Sequence, residues 1–231
     1  MSDHNPDHPP HPTCYVIHEV DVSTQPAPVS VHADHGLIFV RDGWFTMEQQ
    51  FEALSLPGSV TIVPAGVPHR PLAGENVDYW LLGFSAGGFG FEEGQSIMRS
   101  FAEVRLGASP VVQLDQATQY RLQNWFEALE QDTAHPTKFS LYIQRSLVTL
   151  ILADVAMAMP DTNSNTARSP LVAAALQYIQ HNSLSPISLS HVADAVGRTA
   201  PHVAAVVKAE TGFTVGTWIT SSRVAKAAQL L

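Results

Sequence analysis

Near residue 115 the spacing of apolar residues changes, and this change constrains the fold more than any other feature of the 231 residues. Before it, apolar residues come in short runs at 14–16, 37–40, 60–63, 79–84 and 111–112. Turn signals separate the runs: Pro26-Ala27-Pro28, Asp42-Gly43, Pro57-Gly58, Pro64-Ala65-Gly66 and Gly87-Gly88. Short strands divided by Gly and Pro predict an antiparallel sandwich or small barrel over 13–114, interrupted by one helix at about 93–104. After residue 115 the period becomes helical: Leu122, Trp125, Phe126 and Leu129 fall at i, i+3, i+4 and i+7.

A second helix follows at about 137–159, across an Ala134-His135-Pro136 turn, so 115–159 reads as an antiparallel helical hairpin. That helix is apolar almost all round and is expected to bury more than one side, on the strand region, on a second copy, or on both. Asp154 interrupts its most apolar stretch and Arg145 flanks it, which makes the stretch too short and too polar to span a bilayer. Residues 160–169 (PDTNSNTARS) are small and polar and read as a linker. Four short helical patterns then occupy 170–231, marked by Val172/Ala175/Leu176/Ile179, by Leu189/Val192/Ala193/Val196 with Ser188 as cap, by Val203/Val206/Val207, and by Val215/Trp218/Ile219.

Charge divides at the same linker. Residues 1–167 carry seven Lys/Arg against nineteen Asp/Glu, a net of −12, whereas 168–231 carry five against two, a net of +3. A mildly basic end on an acidic body predicts two parts with different partners. A single cysteine, Cys14, rules out an internal disulfide and fits a reducing, cytoplasmic setting. The first twelve residues, rich in Pro and His, read as a flexible arm rather than a secretion signal.

Two short amphipathic helices joined by Gly197 in the basic segment fit a helix-turn-helix, with 188–196 bracing and 200–210 reading DNA. The residues Ile187-Ser188-Leu189, Val192-Ala193 and Val196-Gly197-Arg198-Thr199, followed by Val203, Val206-Val207-Lys208 and Glu210-Thr211-Gly212, resemble the first helix-turn-helix of AraC/XylS transcription regulators. Arg223, Ala227 and Leu230-Leu231 resemble the start of that family's linking helix. The resemblance implies promoter-DNA contacts by Arg198, Thr199, His202, Ala204, Ala205 and Lys208. It departs from the family in placing alanines at 204 and 205, which can meet a thymine methyl but make no bidentate base contact. Lys208 and Arg223 are also candidates for phosphate contacts. The family carries a second helix-turn-helix after the linking helix, so 170–231 reads as a DNA-binding domain cut off after its first.

Gly58, Pro64-Ala65-Gly66 and His69 are similar to the second cupin motif, Gly-x5-Pro-x-Gly-x-x-His. The resemblance implies an α+β chain: a cupin-type barrel with a helical hairpin, then an all-α unit. The first cupin motif is altered. His32 and His35 are three apart, and no carboxylate follows them in 36–41. Three histidines facing one metal would make a metal-dependent cupin enzyme. The alternative is a metal-free, cofactor-free, non-enzymatic pocket, as in AraC-type sensors, binding a small-molecule effector. On that reading Tyr79 and Leu81 point inward beside His69, with His32 and His35, while Trp80 and Leu82 take the other face. The resemblance further implies a homodimer through 115–159, with no membrane contact. No Ser-His-Asp, Cys-His or phosphate-loop arrangement is present to suggest another enzyme class.

Overall fold

The computed structural model describes residues 13–92, 94–105, 107–159, 169–211 and 213–228. The expected arm at 1–12 and all but Ser169 of the expected linker lie outside the described residues, as do Gly212 and 229–231.

The protein is an α+β chain with one antiparallel sheet and seven α-helices among the described residues. The strands are β1 (Cys14–Thr24), β2 (His35–Glu48), β3 (Glu52–Ser55), β4 (Ser59–Val63), β5 (Arg70–Phe84) and β6 (Val111–Gln113). The sheet order is β1-β5-β2-β4-β6, with β3 paired to β2. β1 and β6 are therefore edges, and the closed barrel expected from the sequence is corrected to an open sheet. Three residues of β6 pair only with Ser59–Thr61 of β4, too short a ladder to close against β1.

β2 and β5 are much longer than the apolar runs that mark them, because both bend through irregular pairing between Val40 and Trp44. Asp42-Gly43 is accordingly a bulge within β2 rather than a turn. Gly43 has φ +71, and a Cβ there would lie 2.2 Å from the Asn76 carbonyl oxygen, so only glycine fits. These bends curl the sheet. One face carries Leu37, Phe39, Val60, Ile62, Trp80, Leu82 and Phe84 against the helices. The other holds a smaller cluster of Val40, Phe45, Met47, Val63 and Val77.

Three helices cover the first face: α1 (Arg99–Arg105), α2 (Gln116–Ala134) and α3 (Ser140–Ala158), with a 3-10 turn at Ser96–Met98 before α1. Asp115 caps α2 by accepting from the Thr118 N–H at 2.7 Å. Leu122, Phe126 and Leu129 of α2 meet Val148, Ile151, Leu152 and Val155 of α3 over the sheet. Arg121 of α2 grips buried Asp154 of α3 through Nη2 at 2.8 Å and Nε at 3.2 and 3.3 Å, so the charge on that helix is answered inside the hairpin.

α3 departs from expectation in one way. At 19 residues it is long and apolar enough, by length and composition, to cross a membrane, although Asp154 and Arg145 suggested otherwise. Within the chain it buries one side, and Phe139 just before it, and Leu141, Tyr142, Ile143, Leu150 and Met157 on it, are exposed.

The remaining helices are α4 (Pro170–His181), α5 (Leu189–Ala195), α6 (Ala200–Thr211) and α7 (Val215–Ala228), gathered around a second apolar core. Ser169 caps α4, with Pro170 in its first turn. Thr211, fully buried, ties α6 to α7: its Oγ1 accepts from the Trp218 indole at 3.1 Å and from the Phe213 N–H at 3.2 Å. Thr211→Val removes the acceptor from both buried donors. It is expected to cost about 1–3 kcal/mol in urea unfolding, and an unchanged midpoint would show that Thr211 does not hold the corner.

Candidate functional site

Two adjoining cavities open on the curled face of the sheet. One, of about 190 Å³, is apolar and lies between Ile38, Phe45, Met47, Val77, Tyr79 and Leu81. The other, of about 110 Å³, shares Ile38, Met47 and Leu81 and adds Tyr15, His32, Asp34, His35 and His69. All five residues singled out in the sequence as effector contacts line this space: His32, His35 and His69 the polar part, Tyr79 the apolar part, and Leu81 both. Trp80 and Leu82 belong to the opposite, helix-facing core. His32 and His35 share a cavity because His32 stands in the irregular segment before β2, where strand alternation does not apply.

The loop at 64–69, between β4 and β5, is buried throughout. A buried loop must satisfy its own polar groups, and every N–H of this one is bonded. Gly66 N–H donates to the His32 carbonyl at 2.8 Å, and Val67 N–H to that of Pro64 at 3.1 Å. Ala65 N–H donates to His35 Nδ1 at 3.3 Å, and Arg105 Nη2 to the Ala65 carbonyl at 2.9 Å. His69 pairs with Ser30 through both backbone groups.

These bonds settle ring protonation. His69 Nδ1 lies 2.9 Å from the Val67 carbonyl oxygen, which can only accept, so Nδ1 carries a proton. Burial holds the His69 pKa below its usual value, against the raising effect of the Val67 bond, and neighbouring His32 lowers it further. The ring is therefore neutral near pH 7, with Nε2 a bare acceptor. The unfolded chain takes up this proton near pH 6.5, the folded chain only at lower pH. Stability is thus expected to fall as pH drops below about 6.5, until the folded-state pKa is passed. Urea midpoints from pH 8 to 5 test this, since His69→Leu should flatten that part of the slope.

Tyr15 reaches the polar cavity by crossing Gly83, its partner on β5: a Cβ at Gly83 would lie 2.1 Å from the Tyr15 ring. Burial, then the charge of Asp34, raises the Tyr15 pKa, so the phenol stays protonated. Tyr79 is raised as well, by burial first and then by its hydroxyl's bond to Glu19. Cys14 is buried and pushed up to about 12, mainly by burial, and so supplies no thiolate. His32 and His69 stand with ring centres 5.1 Å apart, but no three His, Cys, Asp or Glu side chains among the described residues are arranged to hold a metal ion.

The second candidate surface lies on α5 and α6. Arg198, Thr199, His202, Ala205 and Lys208 are exposed and Ala204 is half-buried. Within α6, His202 and Ala205 are one i, i+3 pair and Ala205 and Lys208 the next, while Thr199 precedes the helix. Asp194, Gly197, Arg198, Thr199 and His202 line an open groove there. Arg223 plays another part. Its guanidinium donates to the carbonyls of Ser183 at 3.1 Å and Ser185 at 3.0 Å, tying α7 to the loop before α5.

Sequence reasoning missed Val67. This residue lies within the cupin-like motif, yet among the described residues it is the one buried member of the second core from outside 169–228. No periodicity marks it, and the only signal was an apolar side chain in a Pro-rich turn. Missed too was the stack around Trp80, with the His18 ring at 4.2 Å and the Arg41 guanidinium at 5.1 Å, both paired with Asp78.

Solved structures similar to this chain over most of its length include an AraC-like transcriptional activator and ToxT. The AraC-like transcriptional activator CuxR is 15% identical with a TM-score of 0.47, over 93% of this chain and 77% of that one. ToxT from Vibrio cholerae O395 is 9% identical with a TM-score of 0.40, over 94% and 82%. An oxalate decarboxylase of Bacillus subtilis is similar to a part only, at 18% identity and a TM-score of 0.25, over 31% of this chain and 20% of that one. No protein-family model and no curated protein matches the chain.

Proposed function

We propose that the chain is a ligand-responsive, DNA-binding transcription regulator of the AraC/XylS type rather than an enzyme. A small molecule binds on the curled face of the sheet, and the unit at 170–228 engages promoter DNA through the exposed face of α6. The observation that carries the reading is the loop at 64–69, which lends His69 to the polar cavity and Val67 to the helical core. A ligand that prefers one position of His69 thereby biases the seat of the helical unit. Equal affinity for both positions would shift nothing.

Selection of bound sequences from random duplex DNA, followed by fluorescence anisotropy at two salt concentrations, tests the reading. Specific, salt-sensitive binding is expected, and Lys208→Ala should reduce the slope of log affinity against log salt by about one. Failure to enrich any sequence at low salt would remove it.

The exposed apolar face of α3 supports the further reading that the regulator is a homodimer through the α2–α3 hairpin. Tyr142 and Met157 are 71% and 72% exposed, with Ile143 and Leu150 between them along the helix. Leu150→Glu is expected to turn dimer into monomer in sedimentation velocity. A wild type that is monomeric at tens of micromolar would rule this arrangement out.

A further inference from the structure

Resting on that reading, we infer that the effector is a molecule with an apolar ring or short chain and one hydroxyl, a phenol or alcohol, and that the site rejects carboxylates and phosphates. Three observations lead there.

First, none of the residues lining either cavity is Lys or Arg, and the polar end carries the Asp34 carboxylate. An anion entering would lose its water with no lining cation to replace it.

Second, the polar end sets the acceptor His69 Nε2 beside donors, the protonated Tyr15 phenol and the His35 Nε2–H, and so suits a hydroxyl, which both donates and accepts. His69 Nδ1 is occupied by the Val67 carbonyl, which turns the acceptor Nε2 to the cavity. His35 Nδ1 is likewise used, accepting from the Ala65 N–H. A ligand O–H supplies what His69 Nε2 lacks, and a methyl ether of the same shape does not.

Third, apart from Thr24 the larger cavity offers apolar side chains and the Tyr79 ring, in about 190 Å³. That is below the roughly 300 Å³ at which drug-sized pockets begin. It suits one ring with a short substituent, the hydroxyl leading toward His69.

The probes are 4-ethylphenol, 4-ethylanisole and 4-ethylbenzoate, titrated into the full chain by calorimetry at pH 7.5. The phenol is expected to bind about tenfold or more tighter than the anisole, the net worth of one hydrogen bond, and tighter than the benzoate. His69→Leu should erase the phenol-to-anisole ratio. Because that variant removes a buried bond and could fail to fold, the ¹⁵N shift of His69 Nε2 in the wild type gives a second readout. It should move on adding phenol and stay on adding anisole. Leu81→Trp, filling the space common to both cavities, should abolish all binding.

The inference is overturned by benzoate binding as tightly as the phenol, by equal binding of phenol and anisole, by binding that survives Leu81→Trp, or by no binding up to millimolar probe. The regulator reading fails separately. A phenol that binds as described but leaves DNA affinity unchanged keeps the ligand class and removes the coupling to DNA.

Discussion

Val67→Asp is expected to release the helical unit from the sheet and to end its response to ligand. Val67 is 2% exposed and packs in the core built by α4 to α7. A carboxylate there has no cation in the apolar cluster to meet. It must protonate, or the loop and the helices must part, at a cost of about 3–5 kcal/mol. Parting costs the chain less than unfolding four helices, so the first event should be separation. The measurement is urea unfolding followed by Trp218 fluorescence in a chain whose other tryptophans are replaced by phenylalanine, together with DNA anisotropy with and without ligand. Trp218 should report a transition at lower urea, and DNA affinity should no longer change with ligand. Val67→Ala is the milder companion, at about 2 kcal/mol. A Val67→Asp midpoint within about 0.5 kcal/mol of wild type, the range of ordinary surface changes, would remove Val67 from the core and the proposed coupling with it.

Phe126→Ala carries the second large effect, on the other unit. Phe126 is fully buried where α2 meets the sheet, with ring centres 5.9 Å from Trp80 and 6.0 Å from Phe39. Truncation removes most of a phenyl ring from a packed three-ring contact and leaves a void that α2, held through Arg121 and Asp154, cannot readily collapse. The expected loss is about 3–5 kcal/mol, with Phe126→Leu recovering more than half. Chemical denaturation read by Trp80 fluorescence checks it. A loss under about 1 kcal/mol would mean that α2 does not pin the sheet through this residue.

The two periods of the sequence were readable because they are local. Leu122, Phe126 and Leu129 announce α2, and Val192-Ala193 with Val203 and Val207 announce the α5–α6 pair, since each helix buries one stripe of its own residues. The strands were readable in position but not in length. Polar residues and a bulge at Asp42-Gly43 interrupt β2 without ending it, and β3, four residues with two exposed, carries almost no apolar signal. Sheet closure was not readable at all, because it depends on whether distant edges meet. His69, Tyr79 and Leu81 stood out through motif and alternation. Val67 did not, because its importance lies wholly in what the fold brings against it.

The loop at 64–69 also bears on timing. Pro64 and Pro68 bracket Val67, and each ring holds φ near −65°. Every residue between them is buried, and the N–H of each is hydrogen-bonded. Such a segment has few soft torsions in which to lose a displacement, so a shift of His69 reaches Val67 as movement rather than as melting. A signal carried that way needs no refolding step. The change at the helical unit should follow ligand arrival within microseconds to milliseconds, so that in a stopped-flow trace the rate climbs with ligand concentration instead of levelling off at a slow isomerisation.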